Sequence, residues 1–122
     1  SMSGNETHVA CRINKFNPEE PFHEDVIYNL TSGLWDFYVT KNNVKIKQTG
    51  LFVKETIEFN FIKPTKFNAY FRKTITNALG QKAEIDYRIF IKEENIKIRT
   101  SISNKGGNNR NSGFSSGKCT VT

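Results

Sequence analysis

The feature that most constrains this chain is the strict two-residue alternation of residues 84–102, EIDYRIFIKEENIKIRTSI. Apolar side chains at every second position belong to a strand with one buried face. Glu94-Asn95 separates two alternating runs and reads as a two-residue hairpin loop. That loop pairs Lys92 with Lys97, Ile91 with Ile98, Phe90 with Arg99, Ile89 with Thr100 and Tyr87 with Ile102. The expected inner face carries Ile85, Tyr87, Ile89, Ile91, Ile96 and Ile98. The expected outer face carries Asp86, Arg88, Phe90, Lys92, Lys97, Arg99 and Ser101. A slip of one residue would mix the two sets, so burial of the apolar one decides the faces.

Residues 35–48 repeat the pattern. An Asn42-Asn43 loop, built from two residues that tolerate positive φ, pairs Val39 with Ile46 and Phe37 with Gln48 on one side. Tyr38 then faces Lys47, and Thr40 faces Lys45, on the other. Residues 8–13 alternate with Val9, Cys11 and Ile13 on one face and read as a first strand. Residues 14–24, with two prolines and several acidic side chains, read as a loop, and residues 25–30 as a second strand. Residues 51–61 read as strand with a break near Glu55, a bulge or a change of sheet, and with Ile57, Phe59 and Phe61 in the core. Residues 67–76 form a further strand with Phe71 and Ile75 inward.

No stretch carries a three-four apolar period beyond one turn, so helix should be minor. Eight or nine short strands predict an all-β chain: an antiparallel sandwich, jelly roll or small barrel. Its 122 residues allow one domain. Residues 1–7 read as a lead-in and 8–103 as the domain. Residues 104–122 have the Gly, Asn and Ser content of a linker, with a last strand expected only at 118–122. With 36% hydrophobic and 12% aromatic residues the composition is not that of a disordered chain. The apolar runs are too short for a membrane-spanning helix, and no charged-then-apolar signal segment opens the sequence.

Two cysteines allow one connectivity, a Cys11–Cys119 bridge, which implies a secreted or surface setting; the alternative is two thiols. An antiparallel pairing of Cys11 with Cys119 also sets Val9 against Val121. Neither Cys/His spacing nor CxxC points to a metal. Asn5-Glu6-Thr7 and Asn29-Leu30-Thr31 match the glycosylation sequon at a rate that chance explains. His23-Glu24-Asp25 is the one place where an imidazole and carboxylates cluster, and it reads as a solvated loop before a strand. Nucleophile elbow, phosphate loop and HExxH motifs are absent, so neither catalysis nor a cofactor is expected.

Eighteen Lys and Arg against twelve Asp and Glu leave a net charge of +6, which favours anionic partners over mere solubility only if the charges cluster. They recur beside aromatic rings on both hairpin faces: Tyr38, Lys45 and Lys47 on one; Arg88, Phe90, Lys92, Lys97 and Arg99 on the other. Lys105, Arg110 and Phe114 in the tail add to them. Basic grooves with exposed rings hold single-stranded nucleic acid. The leading expectation is therefore a non-catalytic binding module for a polyanion, single-stranded nucleic acid first. The alternatives are a secreted or surface β-sandwich for adhesion or carbohydrate binding, with Trp35, Tyr38 or Tyr70 as a sugar platform, and a virion or assembly subunit that forms a homo-oligomer.

Overall fold

The computed structural model describes residues 5–20, 23–49, 51–53, 56–104 and 110–122. The elements in chain order are β1 (Thr7–Pro18), α1 (Glu24–Thr31), β2 (Gly33–Val39), β3 (Val44–Gln48), β4 (Leu51–Val53), β5 (Glu58–Lys63), β6 (Lys66–Thr76), β7 (Lys82–Lys92), β8 (Asn95–Asn104) and β9 (Arg110–Val121). All nine strands join one antiparallel sheet in the order β4-β3-β2-β1-β9-β8-β7-β6-β5. The all-β expectation is borne out. A sandwich or jelly roll needs two sheets, whereas the described residues form one, curled into a half-barrel whose edge strands β4 and β5 do not pair.

The curl follows from where the large rings sit. Strands β2 and β6 lie five strand spacings apart, roughly 24 Å in a flat sheet. Yet the Phe37 and Phe67 rings meet at 5.8 Å, and Trp35 reaches Phe71 at 6.4 Å and Tyr87 at 5.7 Å. Only a sheet folded toward its own concave face allows this. Trp35, Phe37, Tyr87, Ile85, Ile89 and Ile98 are removed from solvent entirely. Each such side chain contributes roughly 1.5–3 kcal/mol by burial. Ile57 is an exception to the expected core: it precedes β5 and is more than half exposed, while Phe59 and Phe61 pack against the core. Phe71 is buried, whereas Ile75, near the open end of the same strand, is 40% exposed.

Residues 25–30 are helix, not strand. Ile27 and Thr31, one helical turn apart, are both fully buried, and Glu24 and Asp25 complement the positive end of the first turn. The helix ends before Gly33, whose φ of 96° suits glycine. It lies across β1, β8 and β9 on the concave face. Donors from both wings of the sheet satisfy its last carbonyls. Leu30 O accepts from Gln48 Nε2 and Tyr87 Oη at 3.2 Å each, and Thr31 O accepts from Trp35 Nε1 at 3.0 Å.

The first and last strands pair at the centre of the sheet, where Cys11 faces Cys119, Val9 faces Val121, and a disulfide joins the two cysteines. The strand expected at 118–122 is the end of β9, which starts eight residues earlier. Its linker-like composition has a packing reason. A Cβ at Gly117 would stand 1.8 Å from Arg12 O, and one at Gly113 would stand 2.7 Å from Pro18 Cα and 3.2 Å from Ile27. Ser115, between them, hydrogen-bonds Thr31 of the helix. Small residues on the inner face of β9 make room for β1 and α1. Opposite Gly117, β1 bulges at Asn14 and continues as strand to Pro18, through residues expected to be loop.

Both strong hairpins form, each displaced by two residues from the expected pairing. In β7–β8 the turn is Glu93-Glu94, so Ile91 faces Ile96, Ile89 faces Ile98, Tyr87 faces Thr100 and Ile85 faces Ile102. The expected register would have set Ile96 against Glu93. Glu93 instead takes a φ of 56° and donates its N–H to Thr65 O at 2.7 Å. In β2–β3, Thr40 Oγ1 accepts from the N–H groups of Asn42 and Asn43, the loop closes one residue earlier, and Val44 joins the core opposite Val39. Displacement by two leaves every residue on its expected face.

Reduction of the disulfide, or Cys11→Ser with Cys119→Ser, should lower the free energy of unfolding by about 3–5 kcal/mol, because the bridge closes most of the chain. Gly117→Ala should cost about 3 kcal/mol or more with the disulfide intact, since backbone must move. Urea denaturation of each variant measures both.

Candidate functional site

Alternation sends every second side chain to the convex face, and the antiparallel pairing aligns these residues in rows across the strands. One row, read from β5 to β1, is Lys63, Lys66, Lys92, Asn95, Lys118 and Arg12. The next is Asn60, Asn68, Phe90, Lys97, Ser116 and Lys15. A third is Glu58, Tyr70, Arg88, Arg99, Phe114 and Asn17. Successive rows are separated by two residues along β6 to β9, roughly 7 Å, and the first two rows by three residues along the bulged β1 and β5. Two bulges extend the basic character to both ends. The irregularity between Phe61 and Lys63 turns Lys63 outward, and the one between Ile13 and Lys15 does the same for Lys15.

Phe90, Lys92, Asn95, Lys97, Lys118 and Lys15 line a shallow trough of about 460 Å³ on this face. Among the described residues, none of these four lysines lies within ion-pair distance of a carboxylate. Lys118 Nζ donates to Asn95 Oδ1 at 2.7 Å, and Lys97 Nζ stands 4.3 Å over the Phe114 ring. Phe90 is 40% exposed. Like charges face each other directly at Lys63 and Lys66, Lys66 and Lys92, Arg12 and Lys118, and Arg88 and Arg99, with Glu93 holding Lys63 at 2.8 Å. The expected opposition of Lys92 and Lys97 is absent: Lys97 faces Phe90 and Lys92 faces Asn95. Each opposed pair costs a few tenths of a kcal/mol.

The neighbouring arginines are fixed in place. Arg88 lies 4.0 Å over Tyr70, and Arg99 lies 4.9 Å from Phe114 while Glu19 holds it at 2.8 Å. Below Arg88, Tyr70 donates to Asp86 at 2.9 Å and Arg72 Nε donates to the same carboxylate at 2.7 Å. Burial and the bond to Asp86 raise the Tyr70 pKa. For Asp86, burial acts upward, but the hydrogen bonds from Arg72 and Tyr70 and the charges of Arg72 and Arg88 prevail and lower its pKa.

The eight sequence-predicted residues share the convex face but are not one cluster. Phe90, Lys92 and Lys97 line the trough, and Arg88 and Arg99 adjoin it. Tyr38, Lys45 and Lys47 lie on the other wing, with β1 and β9 between. There His8 stacks on Tyr38 at 4.7 Å and bonds Asp36 at 2.8 Å and Thr122; Lys45 approaches Glu6 at 4.0 Å; and Lys47 faces Asp36. That wing has its own counter-charges. Lys15 and Lys118, which line the trough, and Lys66, opposite Lys92 beside it, were missed in this role, because only strand order and, for Lys15, the bulge at Asn14 place them there, whereas Phe114, expected from the tail, lies under Lys97 and Arg99. The outward register of Lys118 follows once Cys11 is set against Cys119. Lys105 lies outside the described residues, and of Arg110 only the backbone is described. Trp35 is fully buried, and Tyr70 lies under Arg88, so neither offers a sugar platform.

The lowered Asp86 pKa fixes a sign. The folded state binds this proton less readily than the unfolded chain, so the carboxylate stabilises the fold above the ordinary carboxylate range and ceases to as pH falls through the depressed value. Asp86→Asn should therefore lower Tm at about pH 7, with the deficit shrinking below about pH 4. Thermal melts of both proteins across pH test this. No protein-family model matches the sequence, and neither curated proteins nor solved structures match it, so the reading of this face rests on its own geometry.

Proposed function

We propose that this chain is a non-catalytic module that binds a polyanion, single-stranded nucleic acid first, across the strands of the convex face. The observation that carries the reading is the four directly opposed cation pairs: Glu93 holds Lys63 of the Lys63–Lys66 pair and Glu19 holds Arg99 of the Arg88–Arg99 pair, while Lys66 with Lys92 and Arg12 with Lys118 have no carboxylate at ion-pair distance among the described residues. Solubility alone is served as well by charges interspersed with acids. Aligned cations without a carboxylate at ion-pair distance are instead relieved by a ligand that carries its own regular row of anions. The phosphates run along Lys66, Lys92, Lys118 and Arg12, and the bases project toward Phe90. The half-exposed ring offers the stacking surface that a non-sequence-selective strand binder uses.

The disulfide supports a second reading, an extracellular domain whose trough takes an acidic glycan. The same lysines serve sulfate or carboxylate, and the buried Trp35 leaves Phe90 as the exposed ring beside them.

Fluorescence anisotropy of labelled single-stranded DNA and RNA, titrated over ionic strength, tests the first reading. Binding should weaken with salt on a negative log-log slope. Lys92→Ala with Lys118→Ala should reduce the magnitude of that slope by roughly one to two. Lys45→Ala with Lys47→Ala should change little. Salt-independent binding, or equal losses from both double variants, would count against the basic row. Tight binding of a sulfated oligosaccharide with no binding of either strand would favour the second reading.

A further inference from the structure

We propose that the cleft on the far side of Phe90 recognises a nucleobase edge and prefers adenine. This rests on the single-stranded nucleic-acid reading above and adds a specificity site to it. Phe90 separates two hollows: the lysine trough and a cleft of about 100 Å³ lined by Asn60, Asn68, Tyr70, Arg88 and Glu58. A base stacked on the ring would have the phosphate row on one side and this cleft on the other.

The chemistry of the cleft suits the edge of a base rather than another phosphate. Asn60 faces Asn68 across β5–β6, and Asn68 faces Phe90 across β6–β7. Both asparagines are exposed, and among the described residues neither carboxamide makes a hydrogen bond. Asn43, Asn77 and Asn95, by contrast, are engaged with Thr40, Gln81 and Lys118. Two free carboxamides beside an exposed ring offer paired donors and acceptors. A carboxamide meets adenine through N6 and N7 at once. Glu58, opposite Tyr70, adds an acceptor for an exocyclic amine and repels a keto oxygen. Arg88 does not compete freely as a guanine reader, because its guanidinium sits 4.0 Å over the ring of Tyr70, whose hydroxyl is held by Asp86 and Arg72.

The test compares a labelled oligo-dT with the same strand carrying adenines at intervals, at one ionic strength and then across salt, using wild type, Asn68→Ala and Phe90→Ala. Wild type should bind the adenine-bearing strand about tenfold more tightly. Asn68→Ala should equalise the two strands while leaving affinity for oligo-dT and the salt slope unchanged. Phe90→Ala should weaken both strands. Asn68 is exposed, so its truncation leaves the core intact, and an unchanged thermal melt confirms this. Salt-sensitive binding with no preference in wild type, or an Asn68→Ala loss shared equally by both strands, overturns the base cleft and leaves the polyanion reading standing. Binding of neither strand at low salt overturns both. Equal weakening of heparin fragments by Asn68→Ala would assign the cleft to a sugar and also overturn it.

Discussion

Everything in this structure depends on the seam between β1 and β9. Local chain connectivity builds two meanders, β1 through β4 on one side and β5 through β9 on the other, and only the pairing of the first strand with the last makes them one sheet. That pairing is the most expensive to form in chain entropy, because it closes nearly the whole chain. A disulfide secures it, and glycine at 117 allows the bulged β1 backbone to lie against β9. The helix seals the seam from within, using small residues at 113 and 115 as its seat. Without the seam Trp35 would have no opposite wing to pack against.

The convex face is a by-product of the same pairing. Once the concave side collects the isoleucines and rings, alternation delivers the polar residues outward, and register decides which of them meet. The three rows exist because five successive strand pairings place them in line. The bulges at Asn14 and Ile62 turn a lysine outward at each end. Two arginines are immobilised on rings and acids, while the lysines of the trough keep their charge unneutralised. In the proposed binding role, a rigid pair beside these lysines would meet a ligand on a preformed surface, with little ordering cost.

Much of the fold was legible in the residues. The period of two identified both strong hairpins, their inner faces and the all-β class. It identified the faces more securely than the registers, since displacement by two preserves every face and is decided by turn contacts such as Glu93 with Thr65. The helix was missed because its single buried stripe, Ile27 and Thr31, spans barely two turns, and VIY also suits a strand. The last strand was read only at its end, residues 118–122, because the glycines and serines earlier in β9 answer to neighbours far away in sequence. Of the candidate site, Phe90, Lys92 and Lys97 were visible, whereas Lys15, Lys66, Lys118 and the two asparagines were not.

The sequence by itself determined which side chains point inward and which outward on each strong strand, because that depends only on alternation and hydrophobicity. It also determined that basic and aromatic residues share the outward set. The tertiary structure alone decided that His8 and Lys45 on one wing have Asp36 and Glu6 beside them, and that on the other Glu93 and Glu19 hold Lys63 and Arg99 while Lys15, Lys92, Lys97 and Lys118 have no carboxylate at ion-pair distance among the described residues. The physical reason is that neutralisation is a distance, set by strand order and bulges, whereas the sign of a charge is a property of the residue alone.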